Sequence, residues 1–402
     1  MTKDADVIIA GAGPAGSIAA YQLAKAGVSV QILEKSEFPR YKVCGAGLTH
    51  KILSEIPFDV SPVVETKIHT FIFSSGFDKV FSRTSEYPLI YCTMRDKFDG
   101  YLLEKAVEAG AKVQFGEKVT SVELHDSYVN VFTRNRTFTS FLVIGAEGAT
   151  GAVARSAKLW KDIKPGLAWE AEIRVDAISL KRYSDTVFLD WGAFPGGYGW
   201  VFPKGDHLSL GVGGPASLSK WMMDYYQKFL IYLEKSGIAV IETTSLKSWS
   251  IPVRVKRGNF HNGRAIVAGD AAGLTDPLTG EGIYYAIRSG KLAAEACISY
   301  LNCSAPSLLS YSKAVNQDLM TELLEANRIK NLFNTFPMKI HRFVNDSNRA
   351  WRAFGKVLRG EKNYADVRNG FGRWKTLWSL VCRMAHVTSY FAEKRFRKTG
   401  FP

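Results

Sequence analysis

The chain has 402 residues, 46% hydrophobic and 22% charged, which excludes a wholly disordered protein and leaves room for two or three domains. Its net charge is +14, and residues 338–402 hold fifteen Lys and Arg against four Asp and Glu, so the basicity belongs mainly to one end. Five cysteines, an odd number with no C-x-x-C pair, argue against a disulfide framework and against a metal site.

Residues 1–6 are polar and partly acidic and lack the pattern of a signal peptide, and no apolar stretch is long enough to span a bilayer. A cytoplasmic protein is expected. Residues 6–11 form a short β-prone run that stops at glycine. The Ala-rich stretch 17–26 predicts a helix with Gly27 as its C-cap, and 28–33 predicts a second strand, completing a βαβ unit. A helix is expected over 97–109, then strands near 112–115, 119–124, 128–133 and 141–144. From about 167 to 212 the segments become strand-like and rich in glycine and aromatics, the texture of an antiparallel sheet. Residues 265–268 return to a short strand, 282–298 read as a helix, and helices are expected past about 310.

Gly11, Gly13 and Gly16 form G-x-G-x-x-G between a strand and a helix. The first allows a tight turn, the second lets backbone approach a pyrophosphate, and the third lets the helix pack on the strand. The helix N-terminus offers free N–H groups to phosphate oxygens. Glu34 closes the second strand, where it can accept from a ribose diol. A dinucleotide is therefore expected. The segment 263–282, GRAIVAGDAAGLTDPLTGEG, narrows it to FAD. A strand delivers Asp270 to a turn where it can accept from a ribityl hydroxyl. Pro277 and the turn at Gly280 and Gly282 then lead into a helix whose N-terminus can face a reduced flavin.

Three further segments carry a family resemblance: Pro39-Arg40-Tyr41-Lys42-Val43-Cys44-Gly45-Ala46-Gly47-Leu48, Arg95-Asp96-Lys97-Phe98-Asp99, and Pro195-Gly196-Gly197-Tyr198-Gly199-Trp200-Val201-Phe202-Pro203. With the glycine loops they resemble the geranylgeranyl reductase family of the p-hydroxybenzoate hydroxylase superfamily, over residues 6 to about 295. The resemblance implies an α/β fold. A discontinuous Rossmann-type FAD-binding domain (1–60, 93–160, 258–310) would carry an inserted antiparallel β-sheet substrate domain (61–92, 161–257) and a helical basic C-terminal region (311–402). It implies FAD contacts from Ala15, Glu34, Cys44, Gly45, Gly47, Arg95, Val119, Asp270, Gly282 and Ile283. Arg95 is expected to pair with the pyrophosphate as a charge-assisted donor. One position departs from the superfamily: Glu147 stands where Asp is usual. Its longer arm leaves the electron donor open between NADPH and a reduced protein such as ferredoxin.

Tyr198, Trp200 and Phe202 alternate along one strand and share a face. Beside a flavin that face makes an apolar wall suited to a prenyl chain, with Pro277 and Gly280 completing the pocket. The same stripe also serves ordinary sheet packing. Saturating an unactivated alkene needs a proton as well as a hydride, so a general acid is required. Cys44, Tyr198 or a water near the 280–282 turn are candidates, and Trp200 joins Cys44 and Tyr198 as a catalytic candidate. The expected partner is a prenyl lipid or prenyl diphosphate, with no nucleic acid. Trp351, Phe354, Phe371, Trp374 and Trp378, interleaved with Arg349, Arg352, Lys356, Arg359, Arg373 and Lys375, suit peripheral attachment to the inner face of an anionic membrane. A solvated basic helix would have the same composition. The competing activity on this fold is a monooxygenase or halogenase acting on an aromatic substrate.

Overall fold

In the computed structural model, which describes residues 3–370 and 375–400, the first apolar run forms the strand Ala5–Ala10 at the centre of an eight-stranded sheet. It pairs in parallel with Val30–Leu33 on one side and Thr137–Gly145 on the other. Lys112–Gln114 adds in parallel beyond Val30–Leu33, and Ala265–Val267 beyond Thr137–Gly145. Strands buried on both faces read as continuous apolar runs, and Val7, Ile8, Ile9, Leu142, Val143 and Ile144 are fully buried here. The pairing of Ala265–Val267 with Thr137–Gly145 returns the chain to the first sheet after more than a hundred residues spent elsewhere. The 269–270 turn thus lies beside the glycine turn at 11–16. The helices Pro14–Lys25 and Ile283–Leu301 pack together over this sheet, and a Cβ at Gly290 would lie 2.4 Å from the Ala15 oxygen.

The aromatic segment belongs to a second eight-stranded sheet. Its central strands, Ile163–Val175, Leu208–Pro215, Tyr198–Pro203 and Thr186–Trp191, run antiparallel. The sheet is not wholly antiparallel, because Thr70–Ser75 joins Thr186–Trp191 in parallel. That strand comes from an earlier excursion of the chain, so no hairpin dictates its direction. Sequence reading also leaves out the helix Ser219–Lys235. Tyr225, Phe229 and Leu233 of this helix pack on Val201, Leu210 and Val212. Burying each such side chain is worth roughly 1.5–3 kcal/mol, which leaves the opposite face of the sheet free to line a cavity. A three-stranded sheet of Gly47–Thr49, Ile90–Cys92 and Thr66–Ile68 bridges the two large ones.

Residues past 308 form helices, as the sequence predicts. Leu319–Thr335 and Lys375–Thr399 pack together, with Asn334 donating to the Ser389 hydroxyl at 2.9 Å. Trp351 and Phe354 do not face solvent as a membrane-binding stripe. They stack on each other and meet Phe71 and Phe73 of the second sheet edge to edge. Packing an apolar face decided their place. Phe371, Arg373 and Trp374 lie outside the described residues, as do the side chains of Lys375 and Trp378.

Candidate active site

The nucleotide end of the site is built from missing side chains. Gly11 has φ +98°, and a Cβ there would lie 2.6 Å from the Ala146 oxygen. A Cβ at Gly16 would lie 1.9 Å from the Gly11 oxygen, so the turn and helix meet where only glycine fits. Gly13 is open: the nearest atom to its Cβ position is an Arg40 Nη at 3.8 Å. Glu34 is 4% exposed and accepts from the backbone of Ala12 at 2.8 Å and Ser36 at 3.1 Å. A carboxylate has about four lone-pair sites, so it retains acceptor capacity for a diol.

Gly11, Gly13, Ala15, Glu34, Val119, Asp270, Gly282 and Ile283 open onto one cavity, and Gly16 stands behind its wall. Cys44, Gly45, Gly47, Arg95, Tyr198, Trp200, Phe202, Pro277 and Gly280 line the same space. Its volume is about 2500 Å³. That is more than twice the upper end of the roughly 300–1,000 Å³ of drug-sized ligand pockets. The cradle fits FAD. The N-terminus of the helix Pro14–Lys25 and its side-chain-free turn would receive the phosphates, the N-terminus of the helix Ile283–Leu301 would face the flavin ring, and buried Glu34 and the Asp270 turn would offer acceptors to the two sugar-like parts. Asp270 itself accepts from Thr275 Oγ1 at 3.2 Å, and its Oδ1 lies 3.4 Å from the Cβ position of Gly282.

Arg95 is held by a carboxylate at the cavity wall. Its guanidinium forks onto Asp99 through two bonds of 2.8 Å, and both groups are buried. The fork engages Nε and one Nη, and Arg95 lines the cavity with Cys44. Arg40, 3.1 Å from the same Asp99, is the cation beside Gly13. Lys42 lies in the same loop, its ammonium lowered to about 8 by burial and then by Arg95. Neither cation stands out in the sequence, because the loop that carries them is irregular and only the fold aims it.

Glu147 curls back. Its Oε1 accepts from the Val153 backbone at 2.6 Å, at the start of the short helix Ala152–Ser156. Burial pushes its carboxyl up to about 7. The longer arm finds room because Gly145 has no side chain: a Cβ there would lie 2.9 Å from Glu147 Oε2.

Register explains the substrate end. Phe202, Trp200 and Tyr198 stand opposite Ser209, Gly211 and Gly213. Those in turn stand opposite Glu172, Glu170 and Ala168. The Trp200 indole fills the space Gly211 leaves, where a Cβ would meet its ring at 2.1 Å. Gly45 and Gly47 press on the same wall: a Cβ at Gly45 would lie 3.0 Å from the Phe202 ring and 3.1 Å from Trp200 Nε1. The Tyr198 hydroxyl donates to the Thr279 carbonyl, tying the aromatic strand to the 275–282 turn. That turn is held by Asp276, which accepts from Leu278 at 2.7 Å, Thr279 at 3.1 Å and the Tyr364 hydroxyl at 2.9 Å. Lys204, nearly inaccessible, donates to the carbonyls of Gly45 at 2.6 Å and Thr93 at 2.9 Å. The sequence reading missed Glu170, Lys204, Asp276 and Tyr364. Only the P-K that ends the aromatic motif hints at Lys204.

Comparison with known proteins agrees with this geometry. The profile of the FAD binding domain family matches residues 4–317. An uncharacterized protein of Methanosarcina barkeri is 36% identical over 302 residues, 74% of this chain and 75% of that one. The geranylgeranyl diphosphate reductase of Rhodobacter capsulatus is 30% identical over 324 residues, covering 77% and 79%. The chloroplastic geranylgeranyl diphosphate reductase of Nicotiana tabacum is 29% identical over 312 residues, 73% of this chain but 66% of the longer plant protein. Among solved structures, a geranylgeranyl bacteriochlorophyll reductase-like protein of Thermoplasma acidophilum has a TM-score of 0.69 at 26% identity, covering 81% of this chain and 86% of that one. The flavin-dependent brominase Bmp2, at 20% identity and a TM-score of 0.67, covers 92% of this chain and 99% of its own, and shares the fold. Fold and cradle thus define a flavoprotein of the FAD-binding-domain class. Within that class the chain belongs to the geranylgeranyl reductase family and is a flavin-dependent oxidoreductase.

Proposed function

We propose that this protein saturates carbon–carbon double bonds of a polyprenyl group carried on a lipid or a diphosphate. One observation carries the reading: a single cavity of about 2500 Å³ joins the flavin cradle to an aromatic wall and continues to the C-terminal helices. A compact aromatic acid leaves most of such a space unfilled, whereas an extended apolar chain uses it. When bound, the reduced flavin supplies the hydride. The chain's own residues then do the rest. Trp200 and Phe202 exclude water, Tyr198 holds the 275–282 turn in place, and Cys44, in the loop pressed on that wall, faces the same space.

The competing reading, a halogenase or monooxygenase, has the brominase fold in its favour. An anaerobic assay separates the two. Dithionite-reduced enzyme given geranylgeranyl diphosphate, or a geranylgeranylated glycerophospholipid, is expected to yield products heavier by two hydrogens per bond. A product that forms only when oxygen is admitted, and gains oxygen or halogen, overturns the assignment. NADPH and reduced ferredoxin are compared as donors in the same assay.

The reading includes docking on an anionic membrane, through a surface other than the one composition suggests. Phe343, Val387, Tyr390 and Phe391 are each more than half exposed and rim the cavity mouth. Lys339 and Arg342 are exposed on the helix that carries Phe343, and Lys394, Arg395 and Lys398 on the helix that carries Val387, Tyr390 and Phe391. Apolar tips within a cationic collar match the headgroup boundary, and a lipid substrate would enter there directly. No described helix is long and apolar enough to cross a membrane. The variant Phe343→Ser with Phe391→Ser is expected to bind phosphatidylglycerol-containing vesicles about tenfold more weakly, since it removes two apolar anchors. Wild-type binding should also fall with salt. Unchanged sedimentation of the variant with vesicles removes the docking surface.

A further inference from the structure

We propose that Glu170 holds the proton for the reaction on the cavity wall, and that Tyr41, Glu172 and His207 form the path that refills it from solvent. The inference rests on the reductase reading, because addition across an alkene consumes one proton for each hydride.

The strand Ile163–Val175 alternates between two environments. Ala171 and Ile173 point into the apolar core under the helix Ser219–Lys235. Glu170 and Glu172 point the other way, across Gly211 and Ser209 from Trp200 and Phe202. Glu170 lines the cavity and has no accessible surface of its own. A carboxylate is an expensive choice for an aromatic-lined wall, since burying an ion costs several kcal/mol unless it is paired or protonated. Its Oε1 accepts from the Cys44 backbone at 2.9 Å, which sets it directly behind the Cys44 loop.

A line of polar groups leads outward. The Tyr41 hydroxyl lies 3.4 Å from Glu170 Oε1 and 3.3 Å from Glu172 Oε1, bridging the two carboxyls. His207 Nε2 approaches Glu172 Oε2 to 3.2 Å without a hydrogen bond between them, and its Nδ1 lies 2.6 Å from Asp206, whose side chain is 93% exposed. Every position between the cavity and bulk water is therefore occupied by a group that can gain or lose a proton. Burial first, and then the charge of Glu172, push the Glu170 carboxyl up to about 7. Among the other neighbours, Lys204 is spent on two backbone carbonyls, Lys247 lies over the Tyr41 ring and Lys42 over Trp249. Ser209 stands in the same face, and Tyr226 approaches from the helix side. None of these makes an ion pair with Glu170. It therefore stays protonated in part at neutral pH, as a proton donor must.

The balance is simple. A proton from the Glu170 carboxyl, handed on at the Cys44 loop because Glu170 itself has no accessible surface, would reach one alkene carbon, and the bound reduced flavin would supply the hydride with its two electrons to the other. The π bond is lost, two C–H bonds form, the flavin is oxidised and Glu170 is left as carboxylate. A proton from water then returns along His207, Glu172 and Tyr41.

The test uses the flavin-loaded enzyme and Glu170→Gln, which keeps an acceptor for the Cys44 N–H. In anaerobic single turnover with geranylgeranyl diphosphate, the variant is expected to be slower by about 100-fold or more, with flavin content and substrate affinity retained. The wild-type rate should fall about tenfold per pH unit above about 7, because the acid form is lost there, and that limb should be absent from the variant. Infrared spectra of the resting enzyme give a readout independent of turnover. In wild-type-minus-variant difference spectra a protonated-carboxyl band that titrates away near neutrality should appear, since Glu147, pushed up to about 7, contributes equally to both proteins. His207→Ala should slow steady-state turnover while leaving the first turnover unchanged. A variant Glu170→Gln that matches wild type in rate and pH profile, or a difference spectrum without a titrating carboxyl band, overturns the proposal alone. If wild type reduces no prenyl compound, the proton role falls together with the reductase reading.

Discussion

Gly16→Val is expected to give a protein without flavin. The substituted Cβ would sit 1.9 Å from the Gly11 carbonyl oxygen and 3.2 Å from Ile9 Cγ2, both of which belong to the central strand and its turn. The nearer atom is backbone, so no rotamer change relieves the contact. Either the helix Pro14–Lys25 lifts from the sheet or the turn at Gly11 opens. Lifting the helix is resisted from above, where Gly290 of the helix Ile283–Leu301 packs against Ala15. Overpacking of this kind costs roughly 1–3 kcal/mol when side chains can yield, and more when backbone must move. Either movement also displaces the N–H groups that face the pyrophosphate position. Flavin absorbance per protein after desalting should fall below about a tenth of the wild-type value. Gly13→Ala provides the contrast. Its Cβ meets no protein atom closer than 3.8 Å, so the fold should persist while the close approach of a phosphate is obstructed. Wild-type flavin content in Gly16→Val would mean that the turn has slack which the contacts do not reveal.

The second large effect is expected from Asp276→Ala. Asp276 is almost wholly buried, and its carboxyl gathers the N–H groups of Leu278 and Thr279 and the hydroxyl of Tyr364. Burial raises the pKa of this carboxyl, and nearby Lys51 opposes the rise. Truncation to alanine strands three donors in a closed space. At about 1–3 kcal/mol for each unsatisfied group, a loss of roughly 3–9 kcal/mol follows. The consequence is local as well as global. The same turn carries the Thr279 carbonyl that anchors Tyr198, and it leads to Gly282 at the start of the flavin-facing helix. Asp276→Ala should therefore melt markedly lower, retain flavin less well and bind substrate less tightly. Tyr364→Phe, which removes a single bond, should lose only about 1 kcal/mol. A melting curve for Asp276→Ala superimposable on wild type would show that the carboxylate does not hold the turn.

The interlock of Asp276 with Tyr364 also gives the C-terminal helices a structural role that composition hides. Excess Lys and Arg with interleaved aromatics read as a surface element. In the fold, Tyr364 and Phe354 face inward and line the cavity, Trp351 packs behind Phe354, and a different set of aromatics remains outside. Helical periodicity predicts which residues share a face, but not whether a partner awaits that face.

The sequence alone determined the parts of this protein whose physics is local. A strand, three glycines, a helix and an acid in the first 34 residues specify a phosphate-binding turn, because each requirement is met by backbone within a few residues of itself. The 263–282 segment extends the same logic to a flavin, and the alternation of Tyr198, Trp200 and Phe202 to a single aromatic face. Tertiary structure alone decided what lies opposite those elements. Glu170 meets the Cys44 loop across 126 residues, Asp276 meets Tyr364 across 88, and Arg40 takes the place beside Gly13 while Arg95 is held by Asp99. Such pairings depend on strand register and on which helix face finds a partner. Both follow from the packing of the whole chain, and no short segment of it encodes them.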